Sequence, residues 1–73
     1  MVTLEILVPF DDPQGLIFIS STCKRFLGES PIIETIRKTS ESTSYKIKKL
    51  DDNLTLLIVD ALTSKGYIIE RFY

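Results

Sequence analysis

Two pairs of adjacent carboxylates, Asp11-Asp12 and Asp51-Asp52, and one thiol, Cys23, are the residues of this chain best suited to chemistry. Paired carboxylates can share a proton or hold a metal ion, and a thiol can act as a nucleophile. There is no histidine, which removes the usual general base and the commonest metal ligand. Each aspartate pair stands immediately before a helical pattern, where a carboxylate caps free amides and meets the positive end of the helix dipole. Cys23 falls on the apolar arc of a helix, the place of a small core residue. Gly15, Gly28 and Gly66 lack the spacing of a phosphate loop. No catalytic residue, metal site or cofactor is expected, and the chain is read as a non-enzyme.

Five of the nine basic residues, Arg37 and Lys38 with Lys46, Lys48 and Lys49, form the only basic cluster. On the two strands of a hairpin they could meet phosphate, with the hydroxyl-rich residues 39–44 following a nucleic-acid backbone. The plainer reading is a solvated sheet face whose charged edges discourage aggregation. Nine basic and ten acidic residues leave a net charge of −1, so no global field draws nucleic acid to the chain.

These residues need a frame. Val2, Leu4, Ile6 and Val8 alternate with Thr3 and Glu5 across residues 2–8, which predicts a half-buried strand ended by Pro9; Leu7 alone breaks the alternation. Asp12 and Pro13 open a helix, Leu16, Ile19, Cys23, Phe26 and Leu27 share its core arc, and Gly28 stops it. Residues 32–38 and 45–49 are extended and read as an antiparallel hairpin around the polar turn 39–44. Asp51-Asp52-Asn53 then starts a second helix. Leu54, Leu57, Ile58, Ala61, Leu62, Ile68, Ile69 and Phe72 fall within an arc of about 140° if it runs to the C-terminus. The resulting order is β-α-β-β-α, an α+β two-layer sandwich with a three-stranded antiparallel sheet and two helices on one face. Gly66 and the strand-like run Tyr67-Ile68-Ile69 support the alternative, a fourth strand at 67–73 and a ferredoxin-like βαββαβ fold.

A chain of 73 residues makes one domain, residues 1–73, near the smallest size at which a single core is stable without staples or association. The lone cysteine, the absence of a basic residue before Lys24 and the lack of a long apolar run point to a soluble, cytoplasmic protein with no membrane contact. Asn53-Leu54-Thr55 is then a chance match to a glycosylation acceptor.

Apolar residues are left over once this core is drawn. Phe18 points nearly opposite the arc of the first helix. Leu56, Val59, Thr63 and Tyr67 lie within about 80° on the outer side of the second. Isolated exposed apolar residues are ordinary, but small monomers seldom expose a contiguous group. Phe18, Leu56, Val59, Thr63 and Tyr67 are therefore read as a partner interface of an assembly subunit, a homo- or heterodimer. The reading from another class is a ferredoxin-like module that binds nucleic acid or a ligand by its basic hairpin face.

The opening Leu4-Glu5-Ile6-Leu7-Val8-Pro9-Phe10, followed by Asp-Asp-Pro and a helix, resembles the small dimerisation subunit of the KEOPS/EKC complex. In that family a hairpin follows, then an aspartate ahead of a long C-terminal helix, here Asp51/Asp52 and Leu54–Phe72. The second helix departs from the family pattern: Leu56 is followed by Leu57 rather than Arg, and Leu62-Thr63 stands near the usual Asn-Ser type pair. The resemblance implies a non-catalytic subunit that dimerises and docks by its helices on the threonylcarbamoyltransferase subunit. It further implies a role in placing tRNA for N6-threonylcarbamoyladenosine synthesis.

Overall fold

The period-two pattern at the start of the chain forms β1 (Val2–Pro9), with Leu4, Ile6 and Val8 fully buried and the residues between them only partly so. The computed structural model describes residues 1–9 and 12–73. After β1 come α1 (Gly15–Leu27), β2 (Ile33–Lys38), β3 (Ser42–Leu50), α2 (Asp52–Ser64) and β4 (Ile68–Phe72). The strands make one antiparallel sheet in the order β2-β3-β1-β4. Ile19 and Cys23 of α1 and Ile58 and Leu62 of α2 share one core cluster with Leu4, Ile6, Val8, Tyr45, Ile47 and Leu50. Both helices thus cover the same side of the sheet, the α+β sandwich expected.

The fourth strand corrects the preferred course of residues 67–73. Gly66 adopts φ 101°, a left-handed conformation that suits glycine. The Tyr67 amide donates to the Leu62 carbonyl and the Gly66 amide to the Thr63 carbonyl, the paired bonds that close a helix at such a glycine. The chain then turns back as β4 beside β1, giving the ferredoxin-like element order. At the other end of α2 the Asp51 carboxylate accepts from the Asn53 and Leu54 amides at 2.8 and 3.2 Å, as its sequence position predicts.

The hairpin tip is shorter than expected. Thr39 Oγ1 accepts from the Glu41 and Ser42 amides, and the Thr39 amide donates to the Ser42 carbonyl, so β3 begins at Ser42. Near its end, β3 carries one extra residue opposite β1. Lys49 takes φ 60° there, and the resulting bulge returns Leu50 to the core, where strict alternation would have placed Lys49.

Among the described residues no helix is long and apolar enough to cross a membrane.

Candidate interaction surfaces

Each helix keeps most of its sequence-derived arc, with Leu16 on α1 and Leu57 on α2 turned out of it. On α1 the buried or packed residues are Gly15, Phe18, Ile19, Thr22, Cys23, Phe26 and Leu27, so the expected Ile19, Cys23, Phe26 and Leu27 are inside, Phe18 joins them, and Leu16 and Ile17 are left outside. On α2 the fully buried residues are Thr55, Ile58 and Leu62, so Leu57, placed on the core arc by the sequence, is 49 % exposed. Thr55 is accommodated because its hydroxyl donates to the Asp51 carbonyl at 2.6 Å. Leu56 is 67 % exposed, as expected. Adjacent Leu56 and Leu57 give α2 an apolar outer surface, and Leu16 and Ile17 give α1 another.

Of the five residues read as a partner interface, the structure leaves Leu56 and Thr63 outside. Thr63 turns its hydroxyl onto the Val59 and Asp60 carbonyls. Val59 and Phe18 are half-buried against the core. Tyr67 is a correction: it is only 5 % exposed, because β4 rather than helix carries the chain beyond Gly66. Its ring meets Phe18 edge-on at 5.6 Å, and Lys65 lies over the Phe18 ring at 5.3 Å. Tyr67 and Phe18 thus pack on each other at the edge of the core with Lys65 covering them from outside, and do not form an outer stripe.

The Tyr67 hydroxyl donates to Asp12 Oδ2 at 3.2 Å, joining residues 55 apart in sequence. Asp12 Oδ1 accepts from the Gln14 amide, so this aspartate caps the turn before α1 and the helix itself starts later, at Gly15. Asp11 and Phe10 lie outside the described residues. Burial, then the hydrogen bond and charge of Asp12, then Tyr45, push the Tyr67 phenol up to about 12 from an ordinary 10.0. The folded state thus holds the neutral phenol. Its contribution is complete below pH 10 and lost as pH rises through about 12. Tyr67→Phe is expected to lower stability by about 1 kcal/mol near neutral pH. It is also expected to flatten the decline of the urea midpoint between pH 10 and 12, read as wild type minus variant. An unchanged difference across that range would remove Asp12–Tyr67 as the titrating link.

Cys23 is fully buried, and desolvation raises its thiol to about 11, which keeps it protonated and unreactive. Its place is in packing. Among the described residues no three acidic or cysteine side chains are arranged to hold a metal ion.

The open face of the sheet collects the cations, but in alternation with acids. One row crosses all four strands as Glu34, Lys46, Glu5 and Arg71. Lys48 Nζ lies 3.7 Å from Glu34, Arg37 3.9 Å from Glu70, and Arg71 3.6 Å from Glu5. Lys38 ends the edge strand β2 opposite Thr43, and Lys49 sits in the bulge. The hairpin thus brings Arg37, Lys38, Lys46, Lys48 and Lys49 to neighbouring strands without an unbroken basic stripe for phosphate. Sequence reasoning saw the cations and put Glu5 on the polar side of β1, but missed Glu70 and Arg71 because it took residues 67–73 as helix.

No family model matches the chain, and no curated protein and no solved structure matches it either. The surfaces themselves therefore carry the functional reading. A shallow groove of about 460 Å³ lies between the end of α1 and the β3 bulge, lined by Leu27, Ile32, Glu34 and Lys49 among others. It mixes apolar and oppositely charged groups, Glu34 among them already paired with Lys48. The outer apolar residues of α2 are the more specific feature.

Proposed function

We propose that this chain is a non-catalytic, dimerising assembly subunit that docks on a larger protein through the outer surface of α2. The observation that carries the reading is the exposure of Leu56 and Leu57, neighbours on a regular helix, since small monomers seldom expose adjoining apolar side chains. Its finer form is a subunit of a tRNA-modifying complex, seated on the threonylcarbamoyltransferase subunit and helping to place tRNA for N6-threonylcarbamoyladenosine synthesis. That part is supported by the resemblance in residues 4–10; the later half of the resemblance, a helix to Phe72, is replaced by α2 and β4.

The test is purification of the tagged chain from its native cell, with the partner identified by mass spectrometry. The transferase subunit is expected in the eluate of wild type and is expected to be lost with Leu56→Asp, which places a charge in a buried contact. A wild-type chain that elutes without the transferase removes the finer reading. A Leu56→Asp variant that still retains its partner removes the α2 docking surface.

A further inference from the structure

β4 is an edge strand whose pattern of faces reads the same in both directions. Ile69 and Phe72 stand in register with Ile6 and Leu4, on the helix-covered side. Ile68 is opposite Leu7 and Arg71 opposite Glu5, on the open side. The register shift between Glu5 and Ile6 makes Glu70 an extra residue. Glu70 also lies on the open side, where it accepts the Ser44 hydroxyl at 2.9 Å and faces Arg37. Tyr73 joins Thr3 through two backbone hydrogen bonds and donates its hydroxyl to Glu5 at 2.7 Å, so it too is on the open side. From Ile68 to Tyr73 the sides are open, covered, open, open, covered, open. Strict alternation would not give this symmetry; the bulge at Glu70 creates it.

We propose that the β4 edge pairs antiparallel with β4 of a second copy about a two-fold axis between Glu70 and Arg71. This rests on the reading of the chain as a dimerising subunit, and it names the surface. The axis sets Glu70 against Arg71 of the second copy twice, Ile69 against its Phe72, and Ile68 against its Tyr73. Each pair lies on one side of the joined sheet, opposite charges meet, and apolar residues meet apolar or aromatic ones. The backbone phase agrees. The Thr3–Tyr73 pair uses its amides and carbonyls inward, so the next pair, Leu4–Phe72, and its equivalent two residues along β1, Ile6–Ile69, turn theirs away from each other. Phe72 and Ile69 thus offer their N–H and C=O groups outward, and the proposed register brings these two residues together across the axis. Ile68, Phe72 and Tyr73 are each about half exposed at this edge. The opposite edge, β2, carries Glu34, Arg37 and Lys38, charges of the kind that guard a free strand.

The experiment is sedimentation of the full chain from micromolar to millimolar concentration. Wild type is expected to be a concentration-dependent dimer. Glu70→Arg and Arg71→Glu each set like charges against each other and are expected to weaken self-association by about tenfold or more. An equimolar mixture of the two variants restores opposite charges at both positions and is expected to recover the dimer. Amide exchange of wild type supplies a readout that needs no variant. The Ile69 and Phe72 amides are expected to become protected as concentration rises, while Ile36 on the β2 edge does not change. A wild type that stays monomeric, single variants that associate like wild type, or a mixture that stays monomeric would each overturn the proposal. If Leu56→Asp abolishes the dimer and the charge variants do not, the helix face is the self-contact; the β4 proposal then falls while the assembly reading stands. A β4 dimer that copurifies without the transferase leaves the β4 pairing standing and removes only the finer, tRNA-modifying reading.

Discussion

Ile58→Asp is expected to unfold the chain, while Leu56→Asp and Leu57→Asp leave its far-ultraviolet circular dichroism intact. Ile58 is fully buried between α2 and the sheet, in the cluster that holds Leu4, Ile6 and Ile47. Its replacement forfeits about 2–3 kcal/mol of apolar burial. The carboxylate adds several kcal/mol more, because it is either desolvated without a partner or protonated against its ordinary pKa. A domain of this length has roughly 4–11 kcal/mol of stability in all, so one such change consumes most of it. Leu56 and Leu57 face water, where substitutions usually move stability by less than about 0.5 kcal/mol. Circular dichroism with urea titration separates the cases. A folded Ile58→Asp chain, or a Leu57→Asp chain that unfolds, would show that the buried side of α2 is misassigned.

The sequence reading placed Leu57 inside, and the reason is physical. An arc drawn through apolar residues follows the centre of apolar mass, whereas burial follows the closest approach of the backbone. Gly15, Thr22 and Thr55 lie on the buried sides of the helices because they are small, and Thr55 carries its own hydrogen-bond partner in the Asp51 carbonyl. Adding Ile68, Ile69 and Phe72 to the arc of α2 pulled it further round, although those residues belong to a strand. β1 was legible because period two is short and its three core residues are all large. The cap at Asp51 and the stop at Gly28 were legible because each is a local hydrogen-bond pattern set by one residue type. Gly66 was equally local, but the outcome there depended on β1 offering a free edge, which no window of sequence displays.

The surfaces were legible in part for the same reason. Leu56 is two residues from Ile58, about 200° round the helix, and the helical period alone puts it outside. The charges of the open face are another matter. Glu34, Lys46, Glu5 and Arg71 form one row only because β3 and β1 lie side by side with β2 and β4 at their flanks. Charge pairing across a sheet is a property of register, and register is set between strands rather than within any one stretch of sequence.

The smallest residue in the core sets the second large effect. A Cβ at Gly15 would lie 2.8 Å from Val8 Cγ1 and 3.3 Å from Val8 Cγ2. Val8 is fully buried and β-branched, with few rotamers available to move those methyls aside. Overpacking of this kind costs about 1–3 kcal/mol. Replacing glycine by alanine inside a helix returns up to about 1 kcal/mol, and less in the first turn. Gly15→Ala is therefore expected to lose about 1–2 kcal/mol, which in so small a domain lowers the melting temperature by about 4–8 °C per kcal/mol. Val8→Ala removes both methyls that the new carbon would strike. In that background Gly15→Ala should be neutral or stabilising, because the helix gain remains and the clash does not. The double-variant cycle is thus expected to show a favourable coupling of about 1 kcal/mol or more. Additive losses at the two positions would mean that α1 can lift from β1 without cost, and that Gly15 is not what fixes their close approach.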